Sequence, residues 1–121
     1  MKSLVLGDLE QEIMTILWES KEPLNVRAVL EQLKEKSAYT TVMTVMTRME
    51  KKGVLKRISE GNFYVYTYTE DKEKFANRHL GKIINSLVDT YGELAISQFI
   101  DSVKSDSKNT KLLKDYLNKN E

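Results

Sequence analysis

Ala38-Tyr39-Thr40-Thr41-Val42-Met43-Thr44-Val45-Met46-Thr47-Arg48-Met49-Glu50-Lys51-Lys52-Gly53 sets apolar side chains at positions 42, 45, 46 and 49, the spacing of one helix face. Gly53 is well placed as the residue just past the helix end. With Val42, Val45, Met46 and Met49 turned inward, the outward set is Thr40, Thr41, Met43, Thr44, Thr47 and Arg48. A polar outer face with lysines near its end is what many surface helices carry, since such lysines complement the helix dipole. The threonines argue for more. A β-branched residue is a mediocre helix former, so four of them are a poor choice for a face that needs only solvation.

Two helices precede this one. Residues 8–19 place Leu9, Ile13, Ile16 and Leu17 on one face, widened by Met14 and Trp18. Asp8 is the expected cap, with Gln11 three residues on, and Pro23 closes the segment. Residues 25–36 follow, with Asn25 as cap and Val26, Val29, Leu30 and Leu33 as the buried stripe. Beyond Gly53 the period changes. Residues 54–58 and 63–68 are β-branched and aromatic, and Ser59-Glu60-Gly61-Asn62 separates them as in a hairpin.

Charge is concentrated on the same stretch. The whole chain of 121 residues has a net charge of +1, which alone says nothing of nucleic acid. Residues 1–36 hold five Lys/Arg against seven Asp/Glu, and residues 70–121 nine against nine. Residues 37–69 hold five (Arg48, Lys51, Lys52, Lys56, Arg57) against two. Three helices, a hairpin and a focused positive charge are the layout of a winged helix-turn-helix, in which the third helix enters the major groove and cations neutralise phosphates.

From residue 70 the helical period returns, with Thr69 as the expected cap. Phe75, Leu80, Ile83, Ile84, Leu87, Val88 and Tyr91 form a stripe that Gly92 interrupts. Ile96, Phe99 and Ile100 belong to a second helix. After a polar linker at 105–109, Leu113 and Leu117 mark a short third one. The spacing by three and four suits a seam between two copies, although the same residues would also serve packing on the chain's own N-terminal half. The expected fold class is therefore mainly α with a small β-hairpin: a winged-helix domain over 1–69 and a helical dimerisation domain over 70–121.

Other chemistries are poorly supported. The chain has no cysteine, so disulfides, thiolate metal sites and cysteine nucleophiles are absent. His79 is the only histidine and its neighbours offer no second ligand, so it is read as a boundary residue, with no metal and no cofactor expected. No phosphate loop, nucleophile elbow or zinc motif occurs, and the expectation is a non-enzyme. The N-terminus has no apolar core of signal-peptide length before Asp8, and no stretch is long enough to span a bilayer, so a cytoplasmic protein without membrane insertion is expected.

Residues 38–53 closely resemble the recognition-helix pattern of the penicillinase-repressor family (BlaI/MecI/CopY), roughly T-V-x-T-x-L-x-R-L-x-x-K-G. Gly7-Asp8-Leu9-Glu10, Ile13-Met14 and Leu17-Trp18 resemble its first helix, and Gly61, Tyr64 and Tyr66 its wing. The resemblance spans nearly the whole chain. It implies a dimeric repressor of a palindromic double-stranded DNA operator. The family's contacts carry over to Thr41, Thr44 and Arg48, with Lys51 and Lys52 on the backbone. The full candidate DNA-binding set adds Tyr39, Thr40, Met43, Thr47, Arg57 and Asn62. Antibiotic-responsive members are released by a sensor-linked protease that cuts an Asn-Phe bond, which corresponds here to Gln98-Phe99. Asn62 replaces the wing arginine, and Met43 stands where relatives carry a basic or polar residue. The cysteine cluster of copper-responsive members is missing. A winged-helix module that binds protein instead of DNA is the alternative, and a same-fold repressor whose signal is a small ligand in the dimer interface is a third reading.

Overall fold

The structure is a computed structural model that describes residues 6–120. The expectation about the N-terminal leader falls partly on residues 1–5, outside that range.

Helix α1 (Asp8–Glu19) buries Ile13, Met14, Ile16 and Leu17. Its cap is Gly7, one residue before the expected Asp8. The Gly7 N–H donates to Glu10 Oε1 at 3.0 Å, while the Gln11 amide turns back to donate to the Leu6 carbonyl at 3.0 Å. A carboxylate three residues into the helix is the stronger acceptor for an orphan N–H, and it also favours the positive end of the dipole. Helix α2 (Val26–Gln32) starts as expected, with Asn25 accepting from the Ala28 N–H at 2.8 Å. It ends four residues earlier than the expected 36. Leu33 is extended, and the Lys34 N–H donates to Glu12 Oε2 at 2.6 Å, drawing the chain off the helix and onto α1.

Helix α3 (Tyr39–Lys51) inserts Val42, Met46 and Met49 into the core, each with no exposed area. Gly53 follows with φ +85°, a left-handed setting that a side chain would strain. The chain then forms β1 (Leu55–Glu60) and β2 (Phe63–Tyr68), antiparallel, with register running from Leu55 opposite Tyr68 to Glu60 opposite Phe63. The loop is only Gly61-Asn62, with Gly61 at φ +70°, so β1 runs two residues past the expected 58.

An isolated bridge ties the hairpin to the helices. The Leu24 N–H donates to the Tyr66 carbonyl at 2.9 Å and the Tyr66 N–H to the Leu24 carbonyl at 2.7 Å. Thr69 does not cap the next helix. Its hydroxyl donates to the Gly53 carbonyl at 2.8 Å, closing the base of the hairpin, and Asp71 caps instead by accepting from the Lys74 N–H at 2.9 Å.

The helix expected over 70–91 runs without a gap from residue 72 to 91, with a π-helical turn (Ala76–Leu80) set between α4 (Lys72–Phe75) and α5 (Gly81–Tyr91). The chain divides into two compact units between His79 and Leu80, so the first turns after the hairpin go with the N-terminal unit. Aromatic contacts gather these first turns onto the N-terminal helices. Trp18 Nε1 donates to the Glu70 carbonyl at 3.1 Å, Phe75 meets Trp18 edge-on at 5.4 Å between ring centroids, and His79 meets Phe75 at 4.5 Å. Phe75, expected in the dimer seam, is thus committed to the N-terminal core. The His79 side chain is only 11% exposed; its Nε2 lies 3.8 Å from Glu70, and its buried Nδ1 has no hydrogen-bond partner among the described residues.

In the second unit α6 (Glu93–Lys104) packs on α5 and on α7 (Ser107–Lys119), with Gly92 at φ +57° making the first corner. Helix α7 is longer than the expected short segment because Asp106 caps it by accepting from the Lys108 N–H at 2.8 Å.

Glu10 also holds Lys52 at 3.2 Å, which joins the start of α1 to the end of α3. The Gly7 N–H bond first, opposed by burial and reinforced by Lys52, holds its carboxyl below the ordinary value. A carboxylate so lowered stabilises the fold above its unfolded value, and that stability is lost as pH falls through the folded one. Glu10→Gln is therefore expected to lower the melting temperature at neutral pH. The gap from wild type should close on acidification, as a series of thermal melts would record; a gap independent of pH would contradict this.

Candidate nucleic-acid interface

The inward commitment of Val42, Met46 and Met49 fixes what α3 shows on its other side. Tyr39, Thr40, Thr41, Met43, Thr44, Arg48 and Lys51 are exposed. Thr47, expected outward, is half-buried, as is Val45, so the polar ridge is narrower than the sequence suggests. It consists of three short hydroxyls and one exposed thioether, followed a turn later by a guanidinium. Hydroxyls exchange hydrogen bonds with base edges, threonine and methionine methyl groups suit apolar contact, and arginine suits guanine or phosphate. Among the described residues Arg48 and Lys51 form no ion pair.

Not every expected cation is equally available. The Lys52 ammonium is held by Glu10. Arg57 Nε lies 3.9 Å from Glu50, and its guanidinium carbon sits 4.2 Å from the Tyr64 ring centroid. The contact with Glu50 ties β1 to the last turn of α3, and the one with Tyr64 ties β1 to β2, so the hairpin and the helix present their charges together. Asn62 is exposed at the turn between the strands. Lys56 is exposed on β1.

One residue near this face was invisible in the periodicity. Arg27, on α2, reaches to 5.1 Å from the Tyr39 ring centroid at the first residue of α3. In sequence it is only the outward neighbour of Val26; its proximity to Tyr39 is a product of how α2 and α3 pack.

Helix, helix, helix and hairpin in this arrangement make the N-terminal unit a winged helix-turn-helix. It is similar to the solution structure of the DNA binding domain of the repressor BlaI, with a TM-score of 0.52 and 30% identity over 59% of this chain and 88% of that one. The sequence profile of the penicillinase repressor matches residues 6–119, and the chain belongs to that family. Its relatives include transcriptional regulator BlaI of Mycobacterium tuberculosis (strain ATCC 25618 / H37Rv), 32% identical over 84% of this chain and 75% of that protein. The penicillinase repressor of Bacillus licheniformis is 32% identical over 69% of this chain and 72% of its own length. These relatives are named as regulators and repressors, not enzymes. Among the described residues no helix is long and apolar enough to cross a membrane.

Proposed function

We propose that this protein is a homodimeric transcriptional repressor, acting in the cytoplasm, that reads a palindromic operator with α3 and grips the flanking backbone with the hairpin. The observation that carries this reading is the exposed ridge Thr40-Thr41-Met43-Thr44-Arg48, held outward on the third helix of a winged-helix unit similar to a repressor's DNA binding domain. Thr41, Thr44 and Arg48 are the base-reading candidates. Lys51 is the freest backbone contact beside them, and Lys52 joins it only as far as Glu10 releases it.

Support for a dimer comes from the second unit. None of α5, α6 and α7 has a buried residue. Leu80, Ile84, Leu87, Tyr91, Ile96, Phe99 and Leu117 are each about half exposed or more, while Ile83, Val88, Ile100 and Leu113 are half-buried between the helices. So much apolar surface on so small a unit calls for a covering partner. A second copy supplies it and matches the two-fold symmetry of a palindrome.

Release is proposed to follow a cut by a sensor-linked protease at Gln98–Phe99. Both residues are exposed, and the bond lies inside α6, so cleavage requires local unwinding of that helix first.

Selection from a random duplex pool is expected to return a palindrome with half-sites about one helical turn apart. Binding to it should fall steeply with salt, with a log–log slope of about −0.9 per phosphate contact. No enriched sequence and a flat salt response would point instead to a protein-binding module. On the selected duplex, Thr44→Ala and Arg48→Ala should each weaken binding by roughly 1–3 kcal/mol. Unchanged affinity in both would remove α3 as the reading face. Leu87→Asp, which sets a charge in the apolar surface, is expected to give monomers in sedimentation velocity, and an intact dimer would move the seam elsewhere.

A further inference from the structure

Arg27 is an exposed cation held in place without an acid. Among the described residues it forms no ion pair and no side-chain hydrogen bond, yet its guanidinium carbon lies 5.1 Å from the centroid of the Tyr39 ring. A guanidinium set over an aromatic face is restrained by the ring while its in-plane N–H groups stay open to an acceptor. A second such pair occurs on the hairpin, beside the other end of α3. Arg57 lies over Tyr64 and within 3.9 Å of Glu50, near the C-terminal end of α3, whereas Tyr39 is the first residue of that helix. The exposed ridge therefore runs between two aromatic-mounted arginines. Helix α3 is about 20 Å long at roughly 1.5 Å per residue. The major groove is about 12 Å wide. A helix of that length seated in the groove brings its two ends toward the backbones that border it.

We propose that Arg27, mounted on Tyr39, is a phosphate-binding residue at the leading end of α3. It grips the DNA backbone without regard to sequence and sets how α3 enters the groove. This rests on the DNA-binding reading above. Tyr39 is then a positioning residue, which acts through its ring as the platform for Arg27. Its hydroxyl has no part in base recognition.

The test uses the full chain, with salt titrations on the pool-selected duplex and on an unrelated duplex of equal length. Arg27→Ala is expected to weaken both by the same factor, about five- to tenfold near 0.1 M salt, and to make the log–log slope shallower by about 0.9. Arg27→Lys should retain the slope. Tyr39→Phe should bind as wild type, and Tyr39→Leu should lose affinity on both duplexes. A purely structural pair would instead lower the melting temperature and leave the slope unchanged, which would overturn the proposal. A loss confined to the selected duplex would make Arg27 a base contact and overturn it too. Arg48→Ala runs beside these variants. If it loses binding while Arg27→Ala does not, only this inference fails; if wild type shows no salt-dependent DNA binding, the underlying reading fails with it.

Discussion

Everything the proposed reading face offers depends on the burial of three side chains beneath it. Val42, Met46 and Met49 have no exposed area, and they set the rotation of α3 about its own axis. Turned by one residue, the helix would bury a threonine hydroxyl and expose a methionine that now fills the core, at a cost of several kcal/mol by the usual scale for lost core packing. The exposure of Thr41, Thr44 and Arg48 is thus a consequence of core packing. Methionine suits this duty, since its flexible side chain fills the irregular gap between α1, α2 and the hairpin.

The ends of the helix are held by polar contacts of a different kind. Glu10 reaches back to cap α1 and across to Lys52, and Glu50 meets Arg57 on β1. The paired Leu24 and Tyr66 backbones fasten the hairpin to the loop before α2. Exposed ion pairs contribute little to stability. Their use here is geometric, because they orient the cations around α3. The same pairings divide the basic residues into those already satisfied and those that are free, a distinction that net charge by segment does not contain.

Much of this was legible in the sequence, because the governing signal is periodicity. The α1 and α3 stripes, the Asn25 cap, the Gly53 stop and the two strands follow from spacing and turn chemistry, and the recognition-helix pattern led to the family. What escaped has a common cause in tertiary competition. Glu12 captures the Lys34 N–H and ends α2 early; Thr69 prefers the Gly53 carbonyl to capping a helix; Trp18 takes Phe75 into the packing of the N-terminal core. Each is a choice between two local partners that only the folded neighbourhood decides. The half-burial of Thr47 and the placing of Arg27 beside Tyr39 belong to the same group, since neither residue breaks its helical pattern.

The C-terminal helices, finally, have a thermodynamic character of their own. Three helices without one buried side chain have little to set against the conformational entropy lost in ordering them. In the proposed dimer their order and their association would then be one equilibrium instead of two successive ones, and mass action would govern both. Dilution of that proposed dimer would loosen the helices as well as part the copies, and whatever separates the copies would also open the backbone of α6. In the proposed dimer the sensitivity of the chain to being switched off is thereby coupled to its own concentration.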